Sequence, residues 1–104
     1  DLRILAAGSA TANTAVACAS LIPPFARMVT IRAVLLCGNV LYNEGYLRTE
    51  ADTGLDEFTI YTPSVVGDLA SVVVDVQTDS SQQIAYRVED ASLDLTLAVD
   101  GFYE

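Results

Sequence analysis

The residues of this chain with the most chemical potential are its carboxylates. Asp75, Asp94 and Asp100 fall within strongly patterned stretches, and Glu50, Asp52, Asp56 and Glu57 crowd the segment RTEADTGLDE at 48–57. Two facing carboxylates can run glycoside hydrolysis, provided that burial or a like charge raises the pKa of one of them. Asp75, Asp94 and Asp100 all take the outward parity of their stretches, where neither condition holds. They are expected to solvate a sheet face and to discourage edge-to-edge pairing. The 48–57 segment offers oxygens of the kind that calcium takes, but their spacing is not that of an EF-hand loop. It is expected to be a plain acidic loop, with those four residues as weak metal candidates only.

Other chemistry is closed by composition. There is no histidine and no lysine. Serine triads, Ser–Lys pairs, histidine zinc sites, Schiff bases and the GxxxxGK[ST] phosphate loop all require one or the other. Cys18 and Cys37 fit no CxxC or zinc spacing and lie in the apolar runs AVACAS and VLLCG. Small buried thiols are the expectation, with a disulfide as the alternative. The chain is expected to be non-enzymatic and to need no cofactor.

The elements that carry these residues follow period two. RMVTIRAVLLC sets Val29, Ile31, Ala33, Leu35 and Cys37 on one face and Met28, Thr30, Arg32 and Val34 on the other. EFTIYT, SVVVDVQT, QIAYRVE and SLDLTLAVD alternate in the same way, with Ala85, Arg87 and Glu89 outward in the third. Val, Ile, Thr and Tyr suit a pleated, half-buried surface. The Ala-rich ATANTAVACASL at 10–21 is assigned to strand over helix, because Thr and Asn within it and Pro23–Pro24 after it oppose a helix. CGN at 37–39 and NEG at 43–45 offer Asn and Gly for turns with positive φ, and DTG, PSVVGD, TDSSQ and EDAS mark further breaks. Short strands separated by turns indicate a sandwich, a jelly roll or a barrel, and the expectation is one all-β domain over 1–104, an antiparallel, jelly-roll-like β-sandwich of about eight short strands.

The chain has 104 residues, 52% of them hydrophobic and 18% charged, with 14 acids against five arginines and a net charge of −9. Such a charge disfavours direct contact with nucleic acid or with an anionic membrane, and no apolar run approaches the length of a membrane span. The chain opens at Asp1 without Met, as a processed, trimmed or partial chain would, and a cleaved secretion signal is one way to reach that state. The apolar share, much of it Ala, Val and Leu, exceeds what a single small core absorbs, so part of it is expected on a surface that meets something. Arg27, Arg32, Arg48 and Arg87 form no basic stripe, and each is expected to pair an acid on this chain or a neighbour. Arginine without lysine is also the composition of interfaces. Tyr42 and Tyr46 flank a turn and could form a patch, and Phe102 and Tyr103 follow a glycine at the chain end. These eight residues are the candidate interface.

Taken together, TANTAVACASLIPPFARMVTIRAV, DEFTIYTPS and SVVVDVQTDSSQQIAYRVEDASLDLTLAVDGFYE resemble small β-sandwich virion proteins of tailed bacteriophages, of the decoration or cement type. The shared features are an Asn/Thr-rich first strand, a proline turn into an alternating strand, a mid-chain FTIY strand and a closing strand that ends in Gly-aromatic. The resemblance implies a jelly-roll-like fold, self-association that is often trimeric, and binding to a major capsid protein on the exterior of a virion. It also implies that GSATANTAVACAS departs from the pattern, for example as an arm laid on a neighbour. The alternative is a secreted or surface-attached adhesin or carbohydrate-binding module. That reading expects a Cys18–Cys37 bond or calcium in the 50–57 loop, together with an exposed tyrosine platform.

Overall fold

The structure, a computed structural model, describes residues 2–49 and 57–103. Eight strands fold there: β1 (Arg3–Gly8), β2 (Thr14–Ala17), β3 (Met28–Leu36), β4 (Glu44–Thr49), β5 (Phe58–Tyr61), β6 (Leu69–Gln77), β7 (Gln83–Val88) and β8 (Asp94–Tyr103). They build two antiparallel four-stranded sheets, ordered β1-β8-β3-β6 and β2-β7-β4-β5. Strands β1 and β8, β2 and β7, β3 and β6, and β4 and β5 are partners, and successive pairs alternate between the sheets. The chain is thus one long hairpin rolled up on itself, closed by the β3–β8 and β4–β7 pairings. This is the jelly roll, an antiparallel β-sandwich in which both sheets are made from one ribbon.

The alternation seen in the sequence becomes the inner layer. Val29, Ile31, Ala33 and Leu35 of β3 meet Val74 and Val76 of β6 and Leu95, Leu97 and Val99 of β8 on the inside, all of them buried. Leu47, Ile60, Ile84, Tyr86 and Val88 face them from the other sheet. Tyr86 spans the layer and its hydroxyl accepts from Ala10 N–H at 3.2 Å. Gly8 allows that approach, since a Cβ there would stand 2.6 Å from the tyrosine oxygen.

Several expectations are corrected. The Ala-rich segment is strand only at Thr14–Ala17, because Cys18 C=O accepts from both Leu21 and Ile22 N–H and turns the chain. Asn43–Gly45 is not a positive-φ turn: Glu44 and Gly45 already belong to β4, and positive φ falls instead at Gly67, Ala7 and Gln82. Arg48 and Thr49, read as the start of an acidic loop, close β4 in register with Ala85 and Ile84. Ala85 has outward parity yet is buried, because its methyl sits low in a central strand beside Arg48. Phe58 has inward parity yet is 48% exposed, because β5 is the last strand of its sheet.

Candidate functional site

One end of the sandwich is greasy where soluble proteins are usually polar. The β3–β4 loop at 37–43 and the β5–β6 loop at 62–68 lie together there. Cys37 N–H donates to Asp68 C=O and Gly67 N–H to Cys37 C=O, both at 2.9 Å. Thr62 N–H donates to Asn43 C=O, and Asn43 Nδ2 donates back to Thr62 C=O, again at 2.9 Å. These bonds pair backbone groups at the root of the two loops, where the Thr62 hydroxyl stays buried without a partner, and leave apolar side chains at their tips. Leu41 is 79% exposed, Val66 62%, Val40 61% and Val65 54%, with Tyr42 and Tyr61 also open. Contiguous exposed apolar surface of this kind marks a contact site more often than an idle one.

The loop that presents Val40, Leu41 and Tyr42 is held in shape. Asn39 Oδ1 accepts from the N–H groups of Leu41 and Tyr42, both at 2.8 Å. Its Nδ2 reaches Ser92 Oγ and Asp90 Oδ2 in the β7–β8 turn. Asp90 in turn accepts from Ser92 Oγ at 2.6 Å and Ser92 N–H at 3.0 Å, and these two bonds hold its carboxyl below the usual carboxylate range. Gly38 seals the joint: a Cβ there would collide with the Ser92 carbonyl. A preformed loop loses little freedom on binding, which favours a surface built to dock.

The eight candidate interface residues do not gather into one patch. Tyr42 belongs to the apolar end. Tyr46, Arg48 and Arg87 lie together on the outer face of the second sheet. There the Arg87 guanidinium stacks 3.7 Å above the Tyr46 ring while Nε and Nη2 donate to the two oxygens of Glu57, at 3.3 and 3.1 Å. The Tyr46 hydroxyl donates to Glu44, and burial together with that carboxylate pushes its pKa up to about 12. Arg32, on the other sheet, pairs Asp100 at 3.0 Å in the open. Arg27, Phe102 and Tyr103 lie at the end opposite the loops, where Arg27 N–H donates to Tyr103 C=O and Phe25 meets Phe102 edge-on at 6.4 Å. Of the four arginines expected to pair an acid on this chain or a neighbour, Arg32 and Arg87 do so within the chain among the described residues, and Arg48 Nε is buried without a partner. The apolar loop residues Val40, Leu41, Val65 and Val66 were not singled out, although NVLYN and PSVVGD place branched apolar side chains inside turn signals.

The Arg87 arrangement makes a prediction. Arg87→Lys keeps the charge but loses the forked contact with Glu57 and most of the stacking on Tyr46. The expected loss is about 1 kcal/mol, read as a fall in Tm of roughly 5 °C. An unchanged melting curve would show the cluster to be ornamental.

Two of the strand carboxylates are engaged with neighbours on the outer face of their sheet. Asp75 accepts from Thr30 Oγ1 at 2.6 Å on the exposed face, and Asp100 is held by Arg32. Of the weak metal candidates, Glu50, Asp52 and Asp56 lie outside the described residues, and Glu57 is taken by Arg87. Among the described residues no three His, Cys, Asp or Glu side chains come together as a metal cage. Cys18 and Cys37 are buried and unbonded. No family model matches the chain, and no curated protein is significantly similar to it in sequence.

Proposed function

We propose that this chain is a structural subunit of a virus particle. It is a capsid decoration or cement protein that docks on the outside of a shell, on other virion subunits including the major capsid protein, and works by contact rather than by catalysis. The observation that carries this reading is the apolar end formed by the 37–43 and 62–68 loops, held in shape and left uncovered. Jelly rolls serve in viral capsids and in lectins alike, so the fold by itself decides nothing between them. The charge of −9 suits a surface that faces solvent, away from packaged nucleic acid. A shell presents many equivalent sites, and linked copies gain avidity from individually modest contacts.

The adhesin or carbohydrate-binding alternative draws less support. It expects a Cys18–Cys37 bond, and both thiols are free; Arg87 covers the ring of Tyr46, which leaves Tyr42 and Tyr61 among its open tyrosines.

The test is immunogold labelling of density-banded particles from a culture of the source, with antibody raised to this chain. Gold on the exterior of shells is the expected result. Chain present only in the particle-free supernatant overturns the reading. Leu41→Asp combined with Val66→Asp changes two exposed positions, so the fold should melt as before. The particle-bound fraction should fall roughly tenfold or more, as loss of a central apolar anchor does at other interfaces.

A further inference from the structure

The two sheets of the sandwich present four edge strands, and three of them are blunted. Register shifts break β1 at two places against β8, with Ala7 at positive φ. Strands β2 and β5 are four residues each. Strand β6 differs: it runs nine residues and pairs with β3 from Leu69 to Gln77 without a register break. Long, regular, partly apolar edges invite another strand, and proteins that stay single usually spoil them.

The free side of β6 can be identified. Cys37 N–H donates to Asp68 C=O, and Thr78 N–H donates to Arg27 C=O. Even-numbered residues therefore address β3. Alternation turns the N–H and C=O of Leu69, Ser71, Val73, Asp75 and Gln77 away from β3, to the side where the sheet order places no strand among the described residues. Gln77 C=O on that side already accepts from Thr49 Oγ1 at 2.7 Å. Beneath this edge, between β6 and β5, lies an apolar cleft of about 310 Å³ lined by Phe58, Ile60, Ala70, Val72 and Val74 among others.

We propose that this edge pairs antiparallel with β6 of a second copy, about a two-fold axis at Val73. The outward side chains are self-complementary in that register. Val73, 53% exposed, meets its own copy, Ser71 meets Asp75, and Leu69 meets Gln77. Each hydroxyl thus faces the carboxylate that can accept from it. The two Asp75 carboxylates stand four residues apart along the ladder, about 13 Å, beyond the screening length of about 8 Å at physiological salt. An acidic chain can therefore meet itself here without bringing its charges together. On the inner side, Val72 and Val74 of the second copy continue the sheet over the cleft and shield the exposed ring of Phe58. A two-fold contact builds pairs, which departs from the trimer that the resemblance implies. It rests on the edge strand and not on the shell reading, so a chain that dimerises yet is absent from particles sinks one proposal and leaves the other.

Sedimentation equilibrium on the full chain tests it. The natural sequence should show a doubled mass, and Val73→Lys a single mass, because two ammonium groups would then face each other at the axis. Val73→Cys should link to itself on mild oxidation. Leu69→Cys should not link to itself but should link to Gln77→Cys in a mixed sample, a pattern set by the register alone and readable even if lysine disturbs the fold. A single mass for the natural chain throughout its soluble range overturns the proposal. So does a doubled mass with Val73→Cys unlinked, which would mean that another edge or the apolar end makes the contact.

Discussion

Leu35→Ala is expected to destabilise the protein by about 4 kcal/mol, toward the upper part of the range for leucine truncation in a core. The reason lies across the sandwich. Leu35 is fully buried on β3, and its methyls sit over Gly45 of β4, where a Cβ would stand 3.3 Å from both Cδ atoms. Leucine fills the space that the glycine leaves empty. Truncation therefore opens a void bordered by a residue with no side chain to relax into it, and poor collapse is what makes such substitutions expensive. Domains of this size hold only about 5–15 kcal/mol in total, so the urea midpoint should fall by a large fraction. Gly45→Ala supplies the control. In the natural protein it presses on the Leu35 methyls and should be neutral or destabilising. In the Leu35→Ala background it enters open space and replaces a flexible glycine within a strand, so it should restore about 1 kcal/mol. Opposite signs for one substitution in two backgrounds measure direct contact. Additive effects would mean that the two residues do not touch.

The same pair shows what the sequence could and could not reveal about the fold. Strands β3, β6, β7 and β8 carry apolar residues at every second position, and a half-buried pleat needs nothing more to be legible. Strand β4, EGYLRT, obeys the same period, but its inward positions are Gly45, Leu47 and Thr49, so a single leucine carries the whole apolar signal. The volume that identifies β4 as a core strand belongs to Leu35, on another strand in the other sheet. Strand β1 hides for a different reason: its two register shifts scramble the parity that would have announced it. The order of strands within each sheet rests on pairings between distant segments, such as β1 with β8. Alternation says which side of a strand is buried and nothing about its neighbour. Turn-separated strands are compatible with a sandwich, a jelly roll or a barrel alike, and only the pairing singles out the jelly roll.

The candidate site was less legible still. Charged and aromatic residues draw the eye as interface material, yet Arg87 and Tyr46 spend their faces on each other and on Glu57. Arg32 and Arg87 each find a carboxylate within the chain, whereas Arg48 keeps a buried Nε without a hydrogen-bond partner. The uncovered surface is instead aliphatic and sits in loops, where Val and Leu contribute neither period nor motif. What betrays them is the contradiction between residue type and turn context, since a turn tip is the least protected place for a Val-Val pair. That contradiction is visible in PSVVGD. Its meaning emerges only when the fold brings NVLYN beside it.

Alkaline pH should weaken the protein through one thiol. Cys18 is fully buried where β2 turns toward the proline pair, and burial, aided by the nearby Asp79 carboxylate, pushes its pKa up from 9.0 to about 11. Asp79 is fixed there by accepting from Ser81 and Gln83 N–H, both at 2.9 Å, while Gln82 C=O in the same turn takes the Cys18 N–H. Below pH 9 the thiol is neutral in both the folded and the unfolded chain, and its contribution is whole. Between 9 and 11 the unfolded chain gives up the proton and the folded chain keeps it, so the unfolded state gains and stability falls as pH rises. Across that window the loss is about 2 to 3 kcal/mol. Tyr46 acts in the same direction above pH 10, being raised to about 12 by its burial and by Glu44. The two separate by substitution: Cys18→Ala should flatten the decline between pH 9 and 10, and Tyr46→Phe should reduce only the decline above pH 10. Urea midpoints at half-unit pH intervals give the slopes. Cys18→Ala starts from a lower baseline because it leaves a small void, so the slope and not the midpoint carries the result. A decline between pH 9 and 10 that survives Cys18→Ala would mean that the thiol is not shielded and that β2 does not close over it.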